Sequence, residues 1–178
     1  QLHMLNQEMM HMGSMIEEKI QKAIEALIGQ NRSLAKKIMD GDCEVDREQK
    51  KIENICFNLL MQQQPVARDL RVISAAMKMV TDMERIGDHA ADISEMTVMM
   101  SGTPYVADLE DIKKMASETV LMLIRSIEAY VEKDMLKAQS VIDHDDIVDD
   151  LFHKNKQDLI ELIQKNPAVS EQAADMLM

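Results

Sequence analysis

An all-α protein is what this sequence predicts, and three observations predict it. Only five glycines and three prolines punctuate 178 residues. No segment sustains the apolar and polar alternation that a half-buried strand requires, and apolar residues recur instead at three- and four-residue steps over long stretches. The chain is 46% apolar but only 2% aromatic, with 18 methionines. A core of thioethers and aliphatic side chains suits helices packed on helices.

The first helix reads from Leu2 to about Leu27, with Leu5, Met9, Met12, Ile16, Ile20, Ala23 and Leu27 on one face, until Gly29 and Asn31 interrupt it. A short helix from Leu34 to Met39 follows. The stretch DGDCEVD then marks a break and a restart, with Asp42 as the expected N-cap of a helix running to about Gln63. Pro65 allows a tight turn. A long helix follows from about Val66 to Met100, and SGTP at 101–104 ends it. Together these helices make a three-helix bundle.

The remainder repeats the plan: a helix from about Val106 to Glu132, a short one from Met135 to Ile142, another from Asp145 to Lys165, then Pro167 and the start of a further helix. A shift of 103 residues lays Ile24, Glu25, Ala26, Ala35, Asp40, Asp42, Val45 and Asp46 onto Ile127, Glu128, Ala129, Ala138, Asp143, Asp145, Val148 and Asp149. Pro65 falls on Pro167 at a shift of 102. The chain therefore reads as a duplicated three-helix unit, 1–103 and 104–178, whose second copy is incomplete.

Charge and cysteine content bound the function. A net charge of -12 argues against nucleic acid, whose phosphates need a basic surface. No apolar run approaches the roughly 20 residues of a membrane span, and no signal-peptide pattern opens the chain. Cys43 and Cys56 share one expected helix, roughly 20 Å apart at about 1.5 Å per residue, too far to bond. Free thiols suit a reducing cytoplasm.

The acids of the third helix carry the chemistry. Val66, Leu70, Ile73, Met77 and Val80 form an apolar seam, and the next positions on it are Glu84 and Gly87, with Asp88 one turn beyond Glu84. Two ionised groups near a core are costly unless paired or coordinated. In a helical hairpin turning at Pro65, Asp46 lies level with Glu84, and Asp42 with Asp88, because each pair is equidistant from the turn. Four convergent carboxylates suit a hard cation such as iron, manganese, magnesium or calcium. Gly87 fits, since a glycine costs about 1 kcal/mol in a helix interior and needs a close-approach reason. With 32 acids in 178 residues, roughly six acidic i,i+4 pairs arise by chance, and most cover a solvated face. What distinguishes this pair is its level across the hairpin and the recurrence of Asp42 and Asp46 as Asp145 and Asp149.

Other residue types point elsewhere. His89 projects about 100° away from Asp88 and reads as a surface or bundle-contact residue. Glu8 with His11 spells the E-x-x-H of di-iron bundles and Asp150 with His153 a looser version, but the two fall in different units. The methionines sit at helical spacing and read as core. Arg68 and Arg71 read as partners of local acids at a helix start.

MGSMIEEKI (12–20), QQPVARDLRVISAAMKMVTDMERIGDHAADISE (63–95) and the D-x-D-x-x-x-D of Asp40, Asp42 and Asp46 closely resemble the PhoU family of phosphate transport regulators. The resemblance spans essentially the whole chain. It implies two tandem three-helix bundles with multinuclear metal sites on E(D)-x-x-x-D motifs, bearing iron, manganese, zinc or magnesium. The first site would use Glu84 and Asp88 with Asp42 and Asp46. The second would use Asp145 and Asp149, or the overlapping Asp146 and Asp150. The resemblance further implies a cytoplasmic adaptor rather than an enzyme, negatively regulating the phosphate-starvation response and restraining uptake. It would link the ATPase subunit of the phosphate ABC transporter to a sensor histidine kinase, and a homodimer is expected. The rival expectation is a carboxylate-bridged di-metal bundle enzyme activating oxygen or water. The duplication also predicts a continuation beyond Met178, with a second E-x-x-x-D whose acids fall near positions 186 and 190.

Overall fold

A computed structural model describes residues 2–41, 43–62 and 67–177, with only the backbone at Gln62. The expected cap Asp42 and the turn at Pro65 lie outside the described residues. The described elements are α1 (Leu2–Ile28), α2 (Arg32–Asp40), α3 (Cys43–Gln62), α4 (Ala67–Met100), α5 (Glu110–Glu132) and α6 (Met135–Lys165). A 3-10 turn at Pro167–Val169 then leads into α7 (Ser170–Asp175). In the first bundle α1 and α4 pack against each other and both pack against α2 and α3; in the second, α5 packs on α6 and α6 on α7.

Local chemistry sets the ends of these helices. Gln30 takes the left-handed conformation at φ 48°, and the Asn31 side chain accepts a 3.0 Å bond from the Leu34 N–H, opening α2. α2 closes at Gly41, whose N–H bonds to Lys37 O at 3.1 Å. Between α5 and α6, Lys133 turns left-handed at φ 58° and the Asp134 carboxylate accepts from the N–H groups of Leu136 and Lys137. The sequence reading did not single out that cap.

Three expectations are corrected. The second unit has no break at 142–145: α6 is one helix of 31 residues. The physical reason is at hand, since the residue corresponding to Gly41 is His144, which has an ordinary preference for continuing a helix. α5 also starts at Glu110 rather than near Val106. The third correction concerns α4, whose buried face runs through Ile73, Ala76, Val80, Met83, Gly87, Ala90, Ser94 and Thr97. Leu70 is 48% exposed, and Met77 and Glu84 are half-buried at the edge of that face. α1, α2 and α3 together cover α4, so the face centres on the small residues that permit close approach. Glu84 thus flanks the core and does not replace a core residue.

The methionines divide between core and surface: Met9, Met12, Met83 and Met100 are buried, whereas Met4, Met10, Met61 and Met99 are exposed. Both cysteines are free. Cys43 is exposed, and burial pushes the thiol of Cys56 up to about 11.

The two bundles meet along α1 and α5. A Cβ on Gly13 would stand 2.5 Å from Ile127 Cδ1, so a larger residue there would require that terminal methyl to move aside. Farther along the same pair of helices a shallow cavity of about 280 Å3 is lined in part by Ile20, Ile24, Ala116 and Val120. The half-buried hydroxyl of Tyr130 donates to Val72 O at 3.1 Å, tying α5 to α4, and burial pushes its pKa up to about 12. The connection between bundles is latched on both sides. Tyr105 donates to Leu27 O at 2.5 Å, Gln30 to Thr103 O at 2.6 Å, and Gln172 accepts from Val106 N at 2.7 Å. No described helix is long and apolar enough to cross a membrane.

Candidate metal centre

The centre is built from the first turn of α3 and the middle of α4. Asp46 lies one turn inside α3, and Glu84 and Asp88 are one turn apart on α4. Where these helices run side by side, Val45 seats its side chain against the backbone of Gly87: an added Cβ there would meet Val45 Cγ1 at 3.1 Å. The missing side chain lets the two helices approach closely. Sequence spacing points to Gly87 but gives no sign of Val45 as its mate.

The result is a convergent set. Asp46, Glu84 and Asp88 are all half-buried and each offers a carboxylate oxygen, with these atoms within 4.8 Å of one another. Hard cations bind oxygen at about 2.0–2.6 Å, so oxygens on opposite sides of one ion stand roughly 4–5 Å apart. The donor set and spacing therefore fit an oxygen-loving cation. Asp42, the fourth expected ligand, lies outside the described residues.

The second expected set is not assembled in this way. Asp145, Asp146, Asp149 and Asp150 are exposed on α6, and among the described residues the first-bundle trio alone forms a group of three metal-ligating side chains. The E-x-x-H pairs are engaged separately. Glu8 accepts a 2.6 Å bond from Lys51, which draws its pKa below the usual carboxylate value, while His153 Nδ1 lies 2.7 Å from Asp149 O. His89 is exposed and lies 3.3 Å from Asp92, in keeping with a surface role. Arg68 and Arg71 make no ion pair among the described residues; both are exposed near the start of α4.

The model of the PhoU domain family matches residues 9–97 and 112–178, one match in each bundle. A phosphate-specific transport system accessory protein PhoU homolog from Clostridium acetobutylicum is 36% identical over 177 residues, covering 99% of this chain and 81% of the relative. The homolog from Aquifex aeolicus is 32% identical over 94% of this chain and 76% of its own length. Among solved structures, the phosphate transport system regulatory protein PhoU from Streptococcus pneumoniae superposes with a TM-score of 0.88 at 26% identity, covering 99% of this chain and 83% of that one. PhoU from Pseudomonas aeruginosa shares the fold, with a TM-score of 0.91 at 24% identity over 99% of this chain and 85% of that one. With the duplicated bundles, the family match in each and these two relatives, the chain belongs to the PhoU family.

Proposed function

We propose that this protein is a metal-binding regulator of phosphate uptake, acting in the cytoplasm as a non-enzymatic adaptor between the phosphate transporter's ATPase subunit and a sensor histidine kinase, and restraining phosphate-starvation signalling. The observation that supports it most directly is the trio Asp46, Glu84 and Asp88, set on two helices that a glycine brings close. The names of its relatives, accessory and regulatory proteins of phosphate transport, supply the setting. Iron, manganese, zinc or magnesium are the ions to test, each bound through carboxylate oxygens that pin the first turn of α3 to α4. Pinning these helices fixes the surface that a partner would meet. The separation of Glu8 and His11 from Asp150 and His153 removes the support that a di-metal oxygenase would need.

Two measurements test this reading. Elemental analysis of the purified protein should find metal that falls to background in a Glu84→Ala, Asp88→Ala variant of unchanged helix content; equal metal in both would sink the centre. Co-purification with the transporter ATPase and with the kinase should retain at least one of them. Retention of neither by the folded protein would end the adaptor reading, whatever the metal content shows.

A further inference from the structure

We propose that Lys51 is a positioning residue for the carboxylate centre: by bonding Glu8 of α1 it fixes the rotation of α3, and with it the placement of Asp46 opposite Glu84 and Asp88. This role rests on the metal-centre reading above and adds a part that the three ligands do not contain. Lys51 Nζ stands 2.6 Å from Glu8 Oε2 and 3.2 Å from Glu48 Oε1, so one ammonium joins a carboxylate of α1 to one of its own helix. Glu48 is only 8% exposed, and a carboxylate buried that far needs a cation beside it. Lys51 supplies that cation while reaching across to α1.

Helix geometry connects this bond to the centre. Asp46 and Lys51 are separated by about 7.5 Å along the axis of α3 and by roughly 140° around it, so α3 is held on its α1 side by Lys51 and presents Asp46 toward α4. Val45, next to Asp46, seats on Gly87, a contact that limits the separation of α3 from α4 more than the roll of α3 about its own axis. A carboxylate carried about 5 Å from that axis moves roughly 2 Å for a 20° roll, whereas cation–oxygen bonds span only about 2.0–2.6 Å. The buried apolar side chains Ile52, Ile55 and Leu59 make non-directional contacts that confine this roll loosely. A hydrogen-bonded ion pair to α1 has a required direction and stops it.

The duplication repeats the device. A shift of 103 residues carries Glu8 and Lys51 onto Asp111 and Lys154, which bond to each other across α5 and α6. In both units the lysine follows the last aspartate of D-x-x-x-D at the same spacing, Asp46 to Lys51 and Asp149 to Lys154. Glu48, by contrast, falls on the buried Leu151. Packing at that position therefore does not call for an acid, whereas the bond from the lysine to the first helix of the unit is kept together with the acidic motif beside it.

The test uses the full chain and Mn2+ alone, followed by the electron paramagnetic resonance signal of the bound ion; the site read is the one that a Glu84→Ala, Asp88→Ala variant loses. Lys51→Met should weaken Mn2+ there about fivefold, the size of factor that a well-placed ion pair carries. The sign is diagnostic, because removing a positive charge near a cation would on Coulomb grounds tighten binding, so a loss reports geometry. Lys51→Arg, which can keep both bonds, should bind as the unaltered chain does. Lys154→Met removes the equivalent bond in the second unit and should leave this site within about twofold. Because Lys51→Met strands the buried Glu48, a Lys51→Met, Glu48→Leu variant copies Leu151, returns the local charge to its original value and regains stability. Its Mn2+ binding should stay at least as weak as that of the single variant. Equal or tighter binding by Lys51→Met, recovery of binding along with stability in the double variant, or an equal loss from Lys154→Met would overturn the proposal. No Mn2+ at this site in the unaltered chain would overturn the centre and the positioning role together, whereas binding that Lys51→Met leaves intact overturns the positioning role alone.

Discussion

Replacing Gly87 by leucine is expected to lower unfolding free energy by about 2 kcal/mol and to weaken metal binding at least tenfold. Any side chain at this position points into Val45, whose branched Cβ has little rotamer freedom on a helix. A first added carbon would already be 3.1 Å from Val45 Cγ1, so a leucine must push α3 off α4. Overpacking of this kind costs about 1–3 kcal/mol, and the improved helix propensity recovers under 1. Because Asp46 rides on α3 and the other two acids on α4, the same displacement spreads the three carboxylates. Gly87→Ala is the informative control. Val45 need yield only a few tenths of an ångström, and alanine's better helix propensity offsets much of that, so stability should change little. Urea denaturation with and without chelator, alongside metal titration, reads both effects; a leucine variant with native stability and undiminished metal would contradict the close-packing account.

The second large effect is expected from Ile52→Ala. Ile52 is fully buried on α3, within the shared core of the first bundle. Its truncation removes apolar contacts and leaves a cavity that helices on several sides cannot all collapse into, at a cost of about 2–5 kcal/mol. Met61→Ala, nine residues farther along α3 at a position 81% exposed, should stay within about 0.5 kcal/mol. Midpoints in urea distinguish the two directly. Similar losses at both positions would mean that burial on α3 is not what holds this helix.

Much of this architecture is legible in the sequence because helices are periodic and rigid. The buried face of α1 coincides with the apolar positions that spacing alone selects, from Leu5 to Leu27. The meeting of Asp46 with Glu84 follows from counting outward from Pro65, since antiparallel helices rise at the same rate per residue. What escapes is whatever depends on a single local choice. The uninterrupted α6 turns on a histidine standing where the first unit has Gly41, and a repeat alignment that matches aspartates on both sides conceals that difference. The buried face of α4 takes Ala76 and Met83 where the spacing points to Met77 and Glu84, because the size of Met77 draws the apolar pattern while close packing against three helices favours the small Ala76.

The contact between the bundles has a further consequence. Gly13 on α1 faces Ile127 on α5, and exchanging each for its counterpart 103 residues away gives Ala116 and Ile24, which border one cavity between the same two helices. The contact is therefore related to itself by an approximate twofold axis, as in an isologous dimer. The duplicated unit carries a self-complementary face, and the chain joins covalently what two separate copies would otherwise have to find by diffusion. Because each unit covers that face of the other, the face is not open to a second copy of the chain.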